Sequence, residues 1–469
     1  MYYNSIYKYK GQGFFVMNDQ KEQTSGFYRS LLRLVIPIAM QNLISTAVNS
    51  ADVVMVGYVG QDALSAVSLA NQVQFILSLV YSGVASGATM MAAQYWGKRD
   101  TGTIEKIMGI AMRISVGVSV LFAVMACGFP QLLMRIFTSD ETLIAIGCDY
   151  LRIVGLSYLF MSVSQVYLCI MRSIERVVFA MAVFGSALII NICLNGVFIF
   201  GLFGLPRMGA AGAALATVIA RAIETGICML DNLGKRPVHF RVRSVFSGYP
   251  VLFGDYIRYA MPAFGNEVVW GVAFSMYSVI MGHLGSDMVA ANSVVVVARN
   301  LGTVVCFGIA NGGAIYLGKQ IGDGQMDQVK KNASRLCRIT FLTGILGGLL
   351  VLLMRPVMVR MVDLTPTALS YLTVMLFINA YYVLGQAMNT TVICGIFRSG
   401  GDSRFGFLCD TLDMWVFAVP AGFLAAFVLK LPPMWVYFII CLDEFVKMPF
   451  VYRHYKSYRW LKNITRENV

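Results

Sequence analysis

Long apolar runs separated by short polar segments dominate this chain. Runs near 33–56, 63–93, 107–129, 149–170, 177–202, 208–230, 256–281, 290–318, 336–354, 369–393, 405–429 and 433–451 each suit a helix across a hydrocarbon core, which takes about 20 residues. The pattern predicts twelve transmembrane helices. They fall as six, a basic and turn-rich linker at 231–255, and six more. The linker carries Lys235, Arg236, Pro237, Arg241, Arg243, Gly248 and Pro250, and few contacts are expected to cross it.

Landmarks inside these runs recur. Arg33, Pro37, Gly57, Gly60, Asp62, Ala66, Gly83, Ala85, Gly87 and Gly97 return 225 positions later, without a gap, as Arg258, Pro262, Gly282, Gly285, Asp287, Ala291, Gly308, Ala310, Gly312 and Gly322. Over the 65 positions from Arg33 to Gly97, 14 are identical to their mates, against roughly five expected at ordinary residue frequencies. An even number of spans per copy gives both copies one orientation. The predicted fold is therefore an all-α polytopic membrane protein, its twelve transmembrane helices arranged in two six-helix lobes as a parallel internal repeat. The plan is an N-terminal segment 1–32, an N-lobe 33–230, the linker 231–255, a C-lobe 256–455 and a tail 456–469. A site between two such lobes is the architecture of a secondary transporter.

Composition agrees. The chain is 58% hydrophobic and 13% charged, with mean hydropathy +0.68, whereas a soluble domain is about one-quarter charged. The net charge of +13 raises nucleic-acid binding as an option, and its distribution removes it. Of 37 Lys and Arg, 28 fall in the termini, the linker and the alternate loops on their side. The opposite loops hold five: Arg135, Arg207, Arg355, Arg360 and Lys430. This bias predicts cytoplasmic N- and C-termini and a cytoplasmic linker, with anionic lipid as partner. Residues 1–32 contain no apolar signal-peptide core, and Met17 offers a second start that makes residues 1–16 an expected extension. The ten cysteines form no CxxC pair and only His239, His283 and His454 are present. They read as packing residues, and no metal or cofactor is expected.

Several segments resemble the multidrug and toxic compound extrusion (MATE) family. They are Leu34-Val-Ile-Pro37, Asp52-Val-Val-Met-Val-Gly57-Tyr-Val-Gly60, Ala63-Leu-Ser-Ala66, Gln94-Tyr-Trp-Gly97-Lys98, Gly209-Ala-Ala-Gly-Ala-Ala-Leu-Ala-Thr217, Pro262-Ala-Phe-Gly-Asn-Glu267-Val-Val-Trp270, Gly282-His-Leu-Gly285 and Phe397-Arg398-Ser-Gly-Gly-Asp402. The match covers residues 30–455. The resemblance implies a monomeric twelve-helix antiporter that exports small amphipathic, often cationic compounds in exchange for H⁺ or Na⁺, without ATP. By the same resemblance, Asp52 matches the first-helix aspartate that handles the coupling ion in several branches. Where a branch places a second acid in the fifth helix, this chain has Asn191 and Asn195, four apart and on one face. The sodium-linked branch has its seventh-helix glutamate nearer Trp270 and an aspartate in the tenth helix. Here that region reads Gln386-Ala-Met-Asn389-Thr390-Thr391, so the branch's cation site does not carry over.

Acids inside a bilayer are expensive and are functional candidates by default. Asp52, Glu267, Asp410 and Asp413 lie mid-span, while Glu224, Asp443 and Glu444 lie nearer helix ends and are weaker candidates. Glu267 with Trp270 one turn on presents a charge and an aromatic face to a cation. Asp410 and Asp413, three apart, share a face and form a candidate substrate or cation site. Arg299, the basic group read as deepest in the C-lobe, is expected to pair with Glu267 or Asp410. In the repeat Asp52 falls on Tyr277 and Glu267 on Asn42, so the lobes are expected to divide ion coupling from substrate contact. Each acid also has a structural reading, as a hydrogen-bonded group that fixes helix packing. The alternatives to export are a flippase for a lipid-linked precursor, and a membrane-embedded enzyme or receptor.

Overall fold

Gly60 and Gly285 frame the fold. At φ 147° and 119° they take up backbone that glycine alone enters freely, and each turns one long helix into the next. The structure, a computed structural model, describes residues 3–204, 206–361 and 364–467, without the side chains of 3–25, 49, 50, 203 and 361. The expectation for residues 1–16 therefore lies largely outside what is described.

The N-lobe contains α1 (Tyr3–Gly57, spanning from Gly26), α2 (Gln61–Gly97), α3 (Thr101–Gly128), α4 (Glu141–Val154 and Ser157–Ser173), α5 (Val177–Phe200) and α6 (Gly209–Leu233). The C-lobe contains α7 (Pro250–His283), α8 (Ser286–Gly322), α9 (Met326–Met361), α10 (Pro366–Phe397), α11 (Ser403–Val428) and α12 (Pro433–Ile440, Asp443–Val446 and Met448–Ser457). Among the described residues nine helices are long and apolar enough to cross a membrane, and α4, bent by 49°, makes a tenth. The remaining two depart from a uniform apolar rod for visible reasons. Helix α7 carries Asp255, Arg258, Asn266 and Glu267, and α12 breaks twice, with Pro449 following its second break.

The repeat survives in three dimensions. Helices α2 and α8 both run 37 residues and begin and end 225 positions apart. Their glycines carry the contact between lobes: a side chain on Gly83 would strike Phe264, and one on Gly87 would strike Ala260. The mates Gly308 and Gly312 press on Ala39 and Val35, which are the mates of Phe264 and Ala260. At the end of both helices Gly97 lies against the Lys319 carbonyl and Gly322 against the Gln94 carbonyl; Gln94 and Lys319 are again 225 apart. Small faces let helix backbones meet closely in lipid, and here each contact has its two-fold mate.

At that same end, which carries the linker, the tail seals the seam. The buried Gln94 donates from Nε2 to the carbonyls of Ser399 (2.7 Å) and Lys462 (3.1 Å) and accepts at Oε1 from the Ile464 N–H (2.8 Å). Arg466 grips Asp255 with two bonds of 2.6 and 2.8 Å, and Trp460 is fully buried. The linker is more tightly held than its composition suggested. Arg113 donates to the carbonyls of Val245 and Ser247, Glu105 pairs with Arg241 at 2.9 Å, and Val238 is fully buried. Unpaired carbonyls of a short loop are costly to bury, and one arginine fork satisfies two of them.

Candidate substrate chamber and ion-coupling sites

Two cavities among the described residues bring the interior acids together. The larger, about 430 Å³, sits between the lobes and is bordered by Asn42, Glu267, Trp270, Asn389, Asp410 and Lys447 among others. The smaller, about 280 Å³, is inside the N-lobe and is bordered by Asp52, Asn71, Gln74, Tyr150, Asn191, Thr217 and Arg221.

In the N-lobe cavity a polar relay converges on Asp52. Asn195 Nδ2 donates to Asp52 Oδ1 at 2.7 Å and to Asn191 Oδ1 at 3.4 Å, and Asn191 Nδ2 donates to Thr217 Oγ1 at 3.3 Å. The four-residue spacing of the two amides puts both on the face of α5 that meets α1 and α6. Only Asp52 in this relay is ionisable, so a proton or cation taken up here has one carboxylate to neutralise. Sequence reading overlooked Arg221 on α6. It pairs with the fully buried Glu224, lies 5.6 Å from the centre of the Phe184 ring, and borders the same cavity as Asp52. Glu224, ranked low for its place near a helix end, is thus a neutralised interior group.

The inter-lobe chamber draws on α7 and α10–α12. Glu267 and Trp270 both face it, as their one-turn spacing predicts, and the Trp270 ring packs 4.3 Å from Phe274. The expected arginine partner is a different one. Arg398 at the end of α10 pairs with Glu267 at 3.1 Å and donates to Asn266 Oδ1 at 2.9 Å and Ser86 Oγ at 3.3 Å. Arg299 instead lies over the rings of Phe274 and Tyr382, at 5.3 and 5.6 Å, where cation–π attraction offsets part of its burial. Asp410 is held by Asn266 at 2.7 Å and by Lys447 at 3.1 Å. Asp413 does share its face, 3.8 Å from the same lysine.

The repeat positions keep their places while changing chemistry. Asn42, the mate of Glu267, also faces the chamber. Tyr277, the mate of Asp52, donates its hydroxyl to Asp443 at 3.2 Å. Asp443 and Glu444, read as weaker candidates, are in fact fully interior. Lys447 and Arg398 had been counted among the basic residues at the membrane surface. The breaks in α12 and the tight Gly400–Gly401 turn after α10 carry them inward instead. The signal was in the sequence: five acids in the C-lobe interior called for more than one cation. Among the described residues no group of His, Cys, Asp and Glu has the geometry to hold a metal ion.

A family model described as MatE matches residues 37–197 and again 262–424, one copy in each lobe. The chain belongs to the MATE family. MATE proteins are transporters, not enzymes, and this one is a multi-pass membrane protein of the drug-efflux class that acts on small molecules. The chain is similar to the "Probable multidrug resistance protein YoeA" of Bacillus subtilis, 26% identical over 95% of this chain and 97% of that one. It is also similar to multidrug resistance protein MdtK of Edwardsiella ictaluri, 21% identical over 89% and 93%. Among solved structures it superposes on the outward-facing conformation of a multidrug resistance MATE family transporter with TM-score 0.82, at 18% identity over 92% of this chain and 96% of that one. A MOP superfamily transporter from Pyrococcus furiosus, whose binding pocket has a reversed polarity that suggests a different function for it, fits with TM-score 0.81 at 18% identity over 91% and 96%. At these identities the structures establish the fold.

Proposed function

We propose that this MATE transporter is a monomeric antiporter that exports amphipathic, mainly cationic compounds in exchange for an inward-moving cation. Its N-lobe cavity couples the ion, and its inter-lobe chamber takes the substrate. The observation that carries the reading is the separation of acids: Asp52 stands in a polar N-lobe cavity, while Glu267 and Asp410 face the chamber. The drug-efflux names of the relatives support the substrate class. The flippase reading calls for a strongly cationic chamber; here two of the three bordering cations, Arg398 and Lys447, are tied to acids, which leaves Arg172 alone against Glu267, Asp410 and Glu444 with their two partners.

The sealed end of the lobes, where the linker and tail meet, is the cytoplasmic one in this reading, so the structure is an outward-facing state. Removing Arg398 and Lys447 from the surface count leaves the basic bias intact. Cysteines introduced near Lys98 and Lys330 are expected to resist an impermeant maleimide in intact cells, and ones near Asp62 and Asp287 to react. The reverse labelling would overturn the orientation.

The division of labour predicts a charge-selective defect. A carboxylate at the chamber wall offsets the cost of drying a cation, which is several kcal/mol for an unpaired ion. Glu267→Gln keeps size and most hydrogen bonding to Arg398 but removes one negative charge. It is expected to weaken a cationic substrate by about tenfold, roughly 1.4 kcal/mol, and to leave a neutral analogue of similar size nearly unchanged. Binding and efflux of such a pair provide the test. Equal losses for both would move Glu267 out of the substrate site.

A further inference from the structure

The C-lobe interior gathers four carboxylates around one ammonium. Lys447 Nζ lies 3.1 Å from Asp410 Oδ1, 3.1 Å from Glu444 Oε2 and 3.8 Å from Asp413 Oδ2, and its side chain is 3% exposed. Three of the acids also accept hydrogen bonds from uncharged donors. Asn266 donates to Asp410, Asn389 to Glu444 at 2.8 Å, and Tyr277 together with the Glu444 N–H to Asp443. Asp413 is the exception. Its side chain is 3% exposed, and neither of its oxygens accepts a hydrogen bond.

Oxygens of three separate acids converging on one monovalent positive charge are what a buried alkali cation would ask of a protein. Here the charge is tethered. It comes from the break between Asp443–Val446 and Met448–Ser457, which turns Lys447 into the cluster. A covalently attached occupant is present at the site whatever the ionic composition of the solution. We propose that Lys447 is a built-in cation filling a monovalent-cation site of the C-lobe, and that it makes this site, and export through it, independent of Na⁺. The proposal about the site stands on the geometry alone; its extension to export rests on the antiport reading above.

The test compares purified wild-type protein with Lys447→Ala, which removes the ammonium and opens its space. Thermal unfolding is followed in NaCl and in choline chloride at equal ionic strength. The wild-type midpoint is expected to respond equally to both salts. The midpoint of the variant is expected to rise with NaCl alone, because an ion that binds only the folded state stabilises it by mass action. A Na⁺-specific rise in the wild type that persists when Asp52 is replaced by Asn, or none in a folded Lys447→Ala protein, overturns the proposal. Should the variant fail to fold, wild-type efflux decides: replacing Na⁺ by choline at fixed pH is expected to leave the rate unchanged, and a Na⁺ requirement overturns the proposal. Absence of gradient-driven efflux under every condition would instead sink the antiport reading, while the unfolding data still report on the site.

Discussion

Asp52→Asn is expected to leave a folded, membrane-inserted protein that no longer moves substrate uphill. The substituted amide still offers an oxygen to Asn195, whose bond to Asp52 is 2.7 Å long, so the α1–α5 contact survives. What disappears is the only ionisable group of the relay. A tenfold gradient of a monovalent ion is worth about 1.4 kcal/mol and can hold about a tenfold substrate gradient in one-for-one exchange. The mutant should hold none, with inside and outside concentrations equal at steady state. Because the drive is lost and not the chamber, cationic and neutral substrates should suffer alike, which separates this phenotype from that of Glu267→Gln. Wild-type accumulation by the mutant, with its elution profile from size exclusion unchanged, would make Asp52 a packing residue.

The second large effect is expected at Gly322. A side chain there meets the Gln94 carbonyl and backbone, which cannot swing aside as a flexible side chain would. Overpacking of this kind costs about 1–3 kcal/mol, and all of it falls on the state in which the lobes touch. Gly322→Val should therefore shift the population toward the separated state by about 5- to 150-fold. A cysteine at Ser399, whose carbonyl receives Gln94, should then react with maleimide from the linker side at least about fivefold faster, in the same proportion. The control is Gly226→Val on α6, where an added side chain meets nothing within 4 Å. Equal reactivity at Ser399 in both variants would mean that the glycine seam does not hold the lobes together.

The helices were legible in the sequence because a bilayer imposes a single rule on every span, and the repeat imposes a second. Both rules act on apolar length and on glycine spacing, which are local. The match between Gln61–Gly97 and Ser286–Gly322 follows from them almost residue for residue. Asp52 with Asn191 and Asn195 was legible for the same reason, since an i, i+4 pair on one helix needs no tertiary knowledge. Arg398 and Lys447 were not. Each follows a helix that ends or breaks, so whether its charge reaches lipid headgroups or the interior depends on which way the chain turns. Arg299 departs from the expectation in another way: it lies over the rings of Phe274 and Tyr382, while Arg398 and Lys447 take the acids expected to be its partners. The tail was invisible as a structural element, because Tyr458–Arg466 has no period of its own and is ordered by Gln94, Tyr95 and Asp255.

The central claim is that an ion gradient drives export through a chamber between two lobes. Purified protein in liposomes, loaded with a fluorescent organic cation, tests it most directly when H⁺ and Na⁺ gradients are imposed separately at zero membrane potential. The account predicts uphill substrate movement that follows at least one gradient, reverses when that gradient is reversed, and vanishes in Asp52→Asn. Substrate movement that only ever runs downhill, at the same rate with and without either gradient and equally in the mutant, would contradict it.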